Sequence, residues 1–323
     1  MASTPNPNHK TKATPLPLRG AEHVFDFPSL NLDYKPFSKK TVTLVDLDVH
    51  VYGLDEIRDS QRPIAVVMLS HGRCNHAMNM EPMASGLLGE FGRLEREDKG
   101  RRARTRDVVV VTLDQRNHGK RTRFRNTNLS FDVNENHLID MMATIYGGVQ
   151  DQQLVMDFLP AYLFPHNERR IDEFMAAGVS MGGHTVWRLL REDPRITIGV
   201  PIISLPSEVL GANFAARATQ MGIPDAEVIY PASVRAWCEQ PFDPAVYKGK
   251  KILSIHGGKD TLLPLQRGLP FLAEMAAQSP PGYVDMYVDP PAGHQSSKPM
   301  VVQTAAWLWK WGLSEAAAAK ARL

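Results

Sequence analysis

A serine flanked by glycines stands where a predicted strand gives way to a predicted helix. Ser180 is the central residue of the pattern Gly-Val-Ser-Met-Gly, which ends the apolar run 174–179 and precedes a helical segment from His184. A serine on a sharp turn of this kind exposes its hydroxyl, and the flanking glycines prevent collisions with the adjacent strand and helix. The pattern alone is short, but its context predicts that Ser180 is a nucleophile.

A carboxylate and a histidine follow later predicted strands. A serine hydroxyl is a weak nucleophile until a base removes its proton, so a nucleophilic Ser180 requires both groups. Asp260 closes the segment His-Gly-Gly-Lys-Asp after one apolar run, and His294 closes Ala-Gly-His after the next. We therefore predict a triad in which His294 is the general base and Asp260 orients it. Asp243 is the alternative acid, although it lies in a predicted insertion.

Two backbone NH groups are predicted to stabilise the negative charge that develops on a substrate oxygen. The first turn of a helix points its NH groups outward and favours anions, which assigns one donor to Met181, the residue after the nucleophile. The second donor is assigned to the backbone NH of Arg73. This residue ends the segment Ser-His-Gly-Arg, which directly follows the apolar run 64–69.

A sheet must position these residues, and the chain contains short apolar runs, rich in β-branched residues, with helical stretches between most of them. This alternation predicts an α/β protein with a mostly parallel central sheet flanked by helices. The predicted buried strands are 64–69, 108–113, 174–179, 196–203, 252–255 and 284–288. Residues 45–51 alternate between apolar and polar types, which predicts a half-exposed antiparallel edge strand. The predicted helices are 83–93, 151–163, 184–191, 266–277 and 300–311.

Two connections are too long for a simple crossover. One covers 115–150. The other covers 205–250, and its aromatic residues predict a small helical cap over the site. Residues 1–23 are rich in Pro, Thr, Asn and Lys and predict a disordered tail, so one domain is expected over 24–323.

Four segments, HGR, GVSMGG, HGGKD and AGH, together resemble the α/β-hydrolase superfamily over nearly the whole chain beyond the tail. The segment DQRNHG at 114–119 is also similar to a group of uncharacterised fungal α/β hydrolases. The resemblance implies a serine hydrolase of esterase or thioesterase type, with no metal or organic cofactor. It further implies an acyl-enzyme route on a small-molecule acyl substrate, in which Ser180 attacks the carbonyl and His294 transfers protons.

The reaction class leaves alternatives open. A carboxylic ester is the first substrate class, and a thioester is the second. An acyltransferase would need a cap that excludes water in favour of an alcohol or amine. A non-catalytic ligand-binding protein that retains the triad as pocket lining is the alternative from another functional class.

A basic run leaves the predicted strand 108–113 at the active-site edge. It consists of Lys120, Arg121, Arg123 and Arg125, and no carboxylate lies between Asp114 and Asp132. Such runs are usually solvated loops. The alternative is that these cations bind an anionic substrate such as an acyl-CoA.

The residues His71, Cys74 and His76 have a spacing that zinc ligands can have. A fourth ligand of matching spacing is missing, and the cluster coincides with the predicted oxyanion loop. Structural histidines are therefore the preferred interpretation, and no metal site is predicted.

Composition bounds the partners and the compartment. The formal net charge is +2, from 37 basic and 35 acidic residues, which does not indicate a nucleic-acid-binding protein. No apolar run of 18 residues occurs, so no membrane span is predicted. The last residues, Ala321-Arg322-Leu323, resemble a peroxisomal signal and predict binding to a peroxisomal import receptor in a eukaryote. Otherwise a cytoplasmic location is expected.

Overall fold

A computed structural model of the chain describes residues 27–98, 103–223, 229–238 and 241–314. In these ranges the strands form an eight-stranded sheet of order β1-β2-β4-β3-β5-β6-β7-β8. The strands are β1 (Lys39–Leu44), β2 (Leu47–Tyr52), β3 (Ile64–Ser70), β4 (Asp107–Leu113), β5 (Ile171–Val179), β6 (Ile196–Ile202), β7 (Lys251–Gly257) and β8 (Val284–Asp289). β2 runs antiparallel to both of its neighbours, and all pairings from β4 to β8 are parallel.

Helices cover both faces of the sheet. They are α1 (Glu81–Glu97), α2 (His137–Leu163), α3 (Met181–Glu192), α4 (Ser207–Gln220), α5 (Ala232–Cys238), α6 (Leu269–Gln278) and α7 (Lys298–Leu308). A short π-helical turn, Trp309–Leu313, follows α7. The predicted mostly parallel sheet flanked by helices is therefore confirmed.

The alternation of side chains along β3 explains why two apolar layers form. Ala65, Val67 and Leu69 belong to one buried cluster with side chains of α1 and α7. Their neighbours along β3 belong to a second cluster with side chains of α2, α3 and α6. Successive side chains of a strand point to opposite faces, so a strand covered on both faces must be apolar at every position.

The two edges of the sheet differ from the prediction. Residues 45–51 were expected to form an edge strand, but Lys39–Leu44 pairs outside them, and β2 is largely buried. Val45 is the exposed turn residue between the two strands, with a φ of 58°. At the other edge, β8 was predicted as a buried central strand but lies last in the sheet and is mostly accessible.

The first long connection is more helical than predicted. Short 3₁₀ turns occupy Gly119–Arg121 and Arg125–Asn128, and α2 begins at His137 instead of at 151. Two adjacent glycines, Gly147 and Gly148, lie inside α2. A Cβ at Gly147 would collide with the side chain of Arg116, so glycine allows the connection to pack against the helix.

The segment 205–250 contains α4, α5 and a 3₁₀ turn, Pro244–Tyr247, between β6 and β7. Its role as a cap stays a prediction, and the tail 1–23 lies outside the described residues. In the described ranges, no helix combines the length and the apolar character that a membrane crossing requires.

Two glycines of α1 give a matched test of this packing. A Cβ at Gly86 would meet the backbone carbonyl of Leu30, whereas a Cβ at Gly92 would meet only the flexible end of Arg96. Both changes to alanine gain similar helix propensity, about 1 kcal/mol. We expect Gly86→Ala to lower the urea midpoint of unfolding because backbone cannot yield, and Gly92→Ala to keep or raise it. Equal midpoints for the two variants would contradict the packing of α1 described here.

Candidate active site

Ser180 occupies a strained turn between β5 and α3. Its φ is 53° and its ψ is −113°, a region that side-chain-bearing residues rarely adopt. The NH of Ser180 donates to the carbonyl of Ile202 at 2.9 Å, which ties the turn to β6. A Cβ at Gly178 would meet the carbonyl of Gly182, and a Cβ at Gly182 would meet the carbonyl of Ser70. The glycines are therefore required by close backbone packing around the serine.

The structure brings Ser180, His294 and Asp260 together in one hydrogen-bond chain. The Ser180 Oγ lies 2.9 Å from His294 Nε2, and His294 Nδ1 lies 2.8 Å from Asp260 Oδ2. The other carboxylate oxygen of Asp260 accepts from the NH groups of Leu262 and Leu263 at 2.9 and 3.0 Å. Asp260 is buried, and these three hydrogen bonds hold its carboxylate facing the imidazole.

The loops after β7 and β8 hold Asp260 and His294 at this spacing. The NH of Gly258 donates to the carbonyl of Asp289, and the NH of Lys259 donates to the carbonyl of Ala292, both at 2.8 Å. A Cβ at Gly257 would meet the carbonyl of Gly293. The two loops are thus in direct backbone contact, and the side chains that they carry are positioned together.

Asp243 is not the acid of this chain of hydrogen bonds. Its carboxylate accepts from the NH of Ala245 at 2.9 Å and caps the 3₁₀ turn Pro244–Tyr247. Asp260 instead bonds to His294. The structure therefore separates the two acids that the sequence left open.

The two predicted oxyanion donors belong to elements in close contact. Met181 is the first residue of α3, so its NH has no intrahelical acceptor. Arg73 lies three residues beyond Ser70, and the Ser70 carbonyl is packed against Gly182 in the first turn of α3. The start of α3 and the end of β3 therefore adjoin beside Ser180, although the assignment of the two donors stays a prediction.

Gln115 connects the loop after β3 to the loop after β4. Its Nε2 donates to the carbonyl of His71 at 2.6 Å, and its own backbone NH donates to His71 Nε2 at 3.0 Å. Thr185, in α3, donates its hydroxyl to Gln115 Oε1 at 3.1 Å. This buried glutamine therefore joins the loop after β3, the loop after β4 and α3, the helix that begins after Ser180. Its role cannot be predicted from the sequence, because a single polar residue after a strand carries no distinctive spacing.

His71 is a structural residue of this network. Burial, reinforced by neighbouring His118, lowers the pKa of His71 to about 3, so the ring is neutral. Its Nδ1 donates to the carbonyl of Gly72 at 2.7 Å while its Nε2 accepts from Gln115. Both ring nitrogens are used within the protein. Across the residues that the structure describes, no group of three His, Cys, Asp or Glu side chains is arranged to hold a metal ion.

The basic run is divided by its ion pairs. Lys120 pairs with Asp48 of β2 at 2.8 Å, and Arg121 pairs with Asp151 of α2 at 2.6 Å. These contacts fasten the connection to the sheet and to α2. Arg123 and Arg125 are exposed. A role of the four residues in binding an anionic substrate stays a prediction, but two of them already have carboxylate partners.

A third apolar cluster includes Met181, the residue after Ser180. Met181 belongs to a cluster with side chains of α2, of the preceding connection and of the 205–250 segment. Its buried members are Phe131, Leu138, Met141, Met142, Ile145, Met181, Leu210, Phe214, Ala218, Ile229, Tyr230 and Cys238. The insertion therefore shares an apolar cluster with Met181, the residue that follows Ser180.

Comparison with known proteins identifies the fold. No protein-family profile matches the chain, and no curated protein matches it. Among solved structures, the Thermus thermophilus protein TT1662 superposes with a TM-score of 0.63 at 19% identity, covering 86% of this chain and 98% of that one. A Pyrococcus furiosus esterase gives 0.51 at 17%, covering 89% and 97%. An acylaminoacyl peptidase from Pyrococcus horikoshii gives 0.57 at 14%, covering 88% of this chain and 43% of that one.

These likenesses show that the chain has the α/β-hydrolase fold. The strand order and the serine between β5 and α3 agree with this assignment. The three matches give no support to the resemblance of 114–119 to fungal hydrolases.

The Gln115 network makes a stability prediction. Gln115→Leu keeps the side-chain size but leaves the buried carbonyl of His71 and the hydroxyl of Thr185 without this partner. We expect the free energy of unfolding in urea to fall by about 1–3 kcal/mol, the cost of unsatisfied buried polar groups. The same change at Gln266, which is exposed, is the control and should alter it by less than about 0.5 kcal/mol. Comparable losses at both positions would refute the role given to Gln115.

Proposed function

We propose that the protein is a serine hydrolase that cleaves a carboxylic ester or thioester through an acyl-enzyme intermediate. The observation that carries this proposal is the hydrogen-bond chain from Asp260 through His294 to Ser180, with distances of 2.8 and 2.9 Å. The names of two structural neighbours, an esterase and an acylaminoacyl peptidase, agree with attack on a carbonyl carbon.

In the first half of the reaction, His294 Nε2 accepts the proton of the Ser180 hydroxyl as the oxygen attacks the substrate carbonyl. The carbonyl oxygen becomes an oxyanion, which the NH groups of Met181 and Arg73 would stabilise. Collapse of this intermediate breaks the bond to the alcohol or thiol, and the imidazolium of His294 protonates the leaving group. The acyl group remains on Ser180.

In the second half, His294 removes a proton from water, and the hydroxide attacks the acyl-enzyme. The second oxyanion collapses, the carboxylic acid leaves, and the proton on His294 returns to Ser180. Asp260 accepts a hydrogen bond from His294 Nδ1 in both halves. It thereby keeps the tautomer whose Nε2 is free to accept a proton, and it stabilises the imidazolium that forms.

Carboxylic ester is the preferred substrate class, and thioester is the second. A thioester of coenzyme A would agree with the C-terminal tripeptide 321–323, which lies outside the described residues, and with the exposed cations Arg123 and Arg125. If the protein is eukaryotic, we propose import into peroxisomes through this tripeptide. An acyltransferase or a non-catalytic binding protein on the same fold remains the alternative.

Covalent labelling tests the nucleophile. We expect intact mass spectrometry to find one fluorophosphonate adduct on the wild-type protein and none on Ser180→Ala, because only an activated serine reacts with this probe. Ser233→Ala removes an exposed hydroxyl of α5 and should label like wild type. Absence of the adduct on folded wild-type protein, together with no turnover of methyl esters or acyl-thioesters, would support the binding-protein alternative.

The orienting acid makes a second prediction. Asp260→Asn keeps an oxygen for the NH groups of Leu262 and Leu263, but its amide would favour the wrong tautomer of His294. We expect kcat for ester hydrolysis to fall by about 10⁴-fold, the scale of such a change in a catalytic triad. Asp243→Asn is the matched control, since asparagine also caps helical turns, and it should retain activity. The reverse pattern would assign the acid to Asp243.

A further inference from the structure

Two arginines converge on one short segment of the connection between β4 and α2. Arg73 Nη1 donates to the carbonyl of Asn128 at 2.7 Å, and Arg217 Nη2 donates to the hydroxyl of Ser130 at 3.4 Å. Arg73 comes from the loop after β3, and Arg217 comes from α4 of the 205–250 segment. Two parts of the chain that are remote in sequence therefore bring guanidinium groups to residues only two positions apart.

Neither guanidinium has a carboxylate partner within the described ranges, although both are only partly accessible. Other arginines are paired: Arg116 and Arg121 share Asp151, and Arg191 pairs with Glu208. Burial, together with the charge of Arg73, lowers the pKa of Arg217, and the more weakly acting Asp132 opposes this effect. Two partly buried like charges that form no ion pair with a carboxylate in the described ranges are costly, and an anion between them would relieve the repulsion.

His137 lies in the same electrostatic environment and is uncharged. Burial, then the charges of Arg73 and Arg217, lowers its pKa to about 3. The ring packs edge-on against Phe131 at 4.9 Å and Phe214 at 5.3 Å between ring centres. Its Nε2 is buried and has no hydrogen-bond partner in the described part of the chain. The surroundings of the two arginines thus combine apolar rings with a polar atom that a ligand could contact.

This region is continuous with the catalytic site. The rings of Phe131 and Phe214 belong to the apolar cluster that contains Met181, the residue after the nucleophile. The backbone NH of Arg73 is also the predicted oxyanion donor. A substrate can carry an anionic group a few methylene groups from its carbonyl carbon. With the carbonyl oxygen at that NH, this anionic group would lie within reach of the Arg73 side chain.

We infer that Arg73 and Arg217 bind a carboxylate in the acyl part of the substrate, so that the enzyme hydrolyses half-esters or half-thioesters of short dicarboxylic acids. This inference rests on the proposed function and names the substrate class of the same site. The planar forks of the two guanidinium groups suit a carboxylate, which accepts hydrogen bonds through both oxygens. The apolar cluster around Met181 suits the methylene chain.

The decisive experiment compares matched esters. We expect kcat/KM for monomethyl glutarate to exceed that for methyl pentanoate, which has the same chain length without the second carboxylate. Arg217→Gln should lower kcat/KM for the charged ester by about 10- to 100-fold, mainly through KM, because a charge-assisted hydrogen bond is lost. The neutral ester should change by less than about threefold, and Arg217→Lys should recover part of the loss. Arg96→Gln removes an exposed charge of α1 and should leave both esters unchanged.

Several outcomes would overturn the inference. Equal losses for both esters would show that Arg217 only supports the structure. No preference of the wild-type enzyme for the charged ester would exclude a carboxylate site. A preference that appears only when the carboxylate is on the alcohol part would reject the acyl assignment. Inhibition by inorganic phosphate stronger than that by glutarate would point to a phosphate instead.

A binding measurement separates this inference from the proposed function. Calorimetry with monomethyl glutarate on Ser180→Ala, with and without Arg217→Gln, requires no turnover. If Ser180→Ala binds the ester in an Arg217-dependent way but the wild-type protein hydrolyses no ester, the carboxylate site is kept and the hydrolase is rejected. Hydrolysis of neutral esters without such binding would keep the hydrolase and reject the site.

Discussion

The positive φ of Ser180 is the constraint on which the rest of the site depends. A serine held in this conformation costs energy, so the surrounding backbone must leave the chain no alternative. Its NH is tied to Ile202 of β6, and Gly178 and Gly182 allow backbone to approach from β3 and α3. The strain is therefore balanced by the packing of three central strands, which also fixes the position of Ser180.

The position of Ser180 at the end of β5 determines which charged and polar groups surround it. Parallel strands bring their carboxyl ends to one edge, so the loops after β5, β7 and β8 meet there. Asp260 is buried but satisfied by two NH groups and one imidazole, which makes a negative charge acceptable in this place. The buried histidines His71 and His184 are neutral, because burial lowers the pKa of each to about 3. His294, which links Ser180 to Asp260, is less buried than either.

Much of the fold follows from local sequence, because strands covered on both faces are continuously apolar. Ser180, Asp260 and His294 could also be singled out, since each lies in the loop after a strand. The parts that were wrong or missed depend on tertiary contacts. β8 is apolar enough to be predicted as a buried strand, yet it is the last strand of the sheet in the described residues. The first half of α2 contains Gly147 and Gly148, whose low helix propensity argues against a helix that tertiary packing nevertheless stabilises. Gln115 has no signal in spacing, and the convergence of Arg73 and Arg217 requires two segments that only the fold brings together.

The apolar cluster beside Met181 has a consequence for how such a protein can diversify. Its members come from the connection after β4, from α2 and from the segment between β6 and β7, and none of them is a strand residue. Substitutions there would alter the shape and polarity of the cluster that contains Met181, next to Ser180 in the chain, while the sheet keeps its own packing. Because these side chains are buried, substitutions among them must conserve the packed volume, but they leave the two clusters on the sheet untouched. The surface beside Ser180 can therefore vary by repacking within this one cluster.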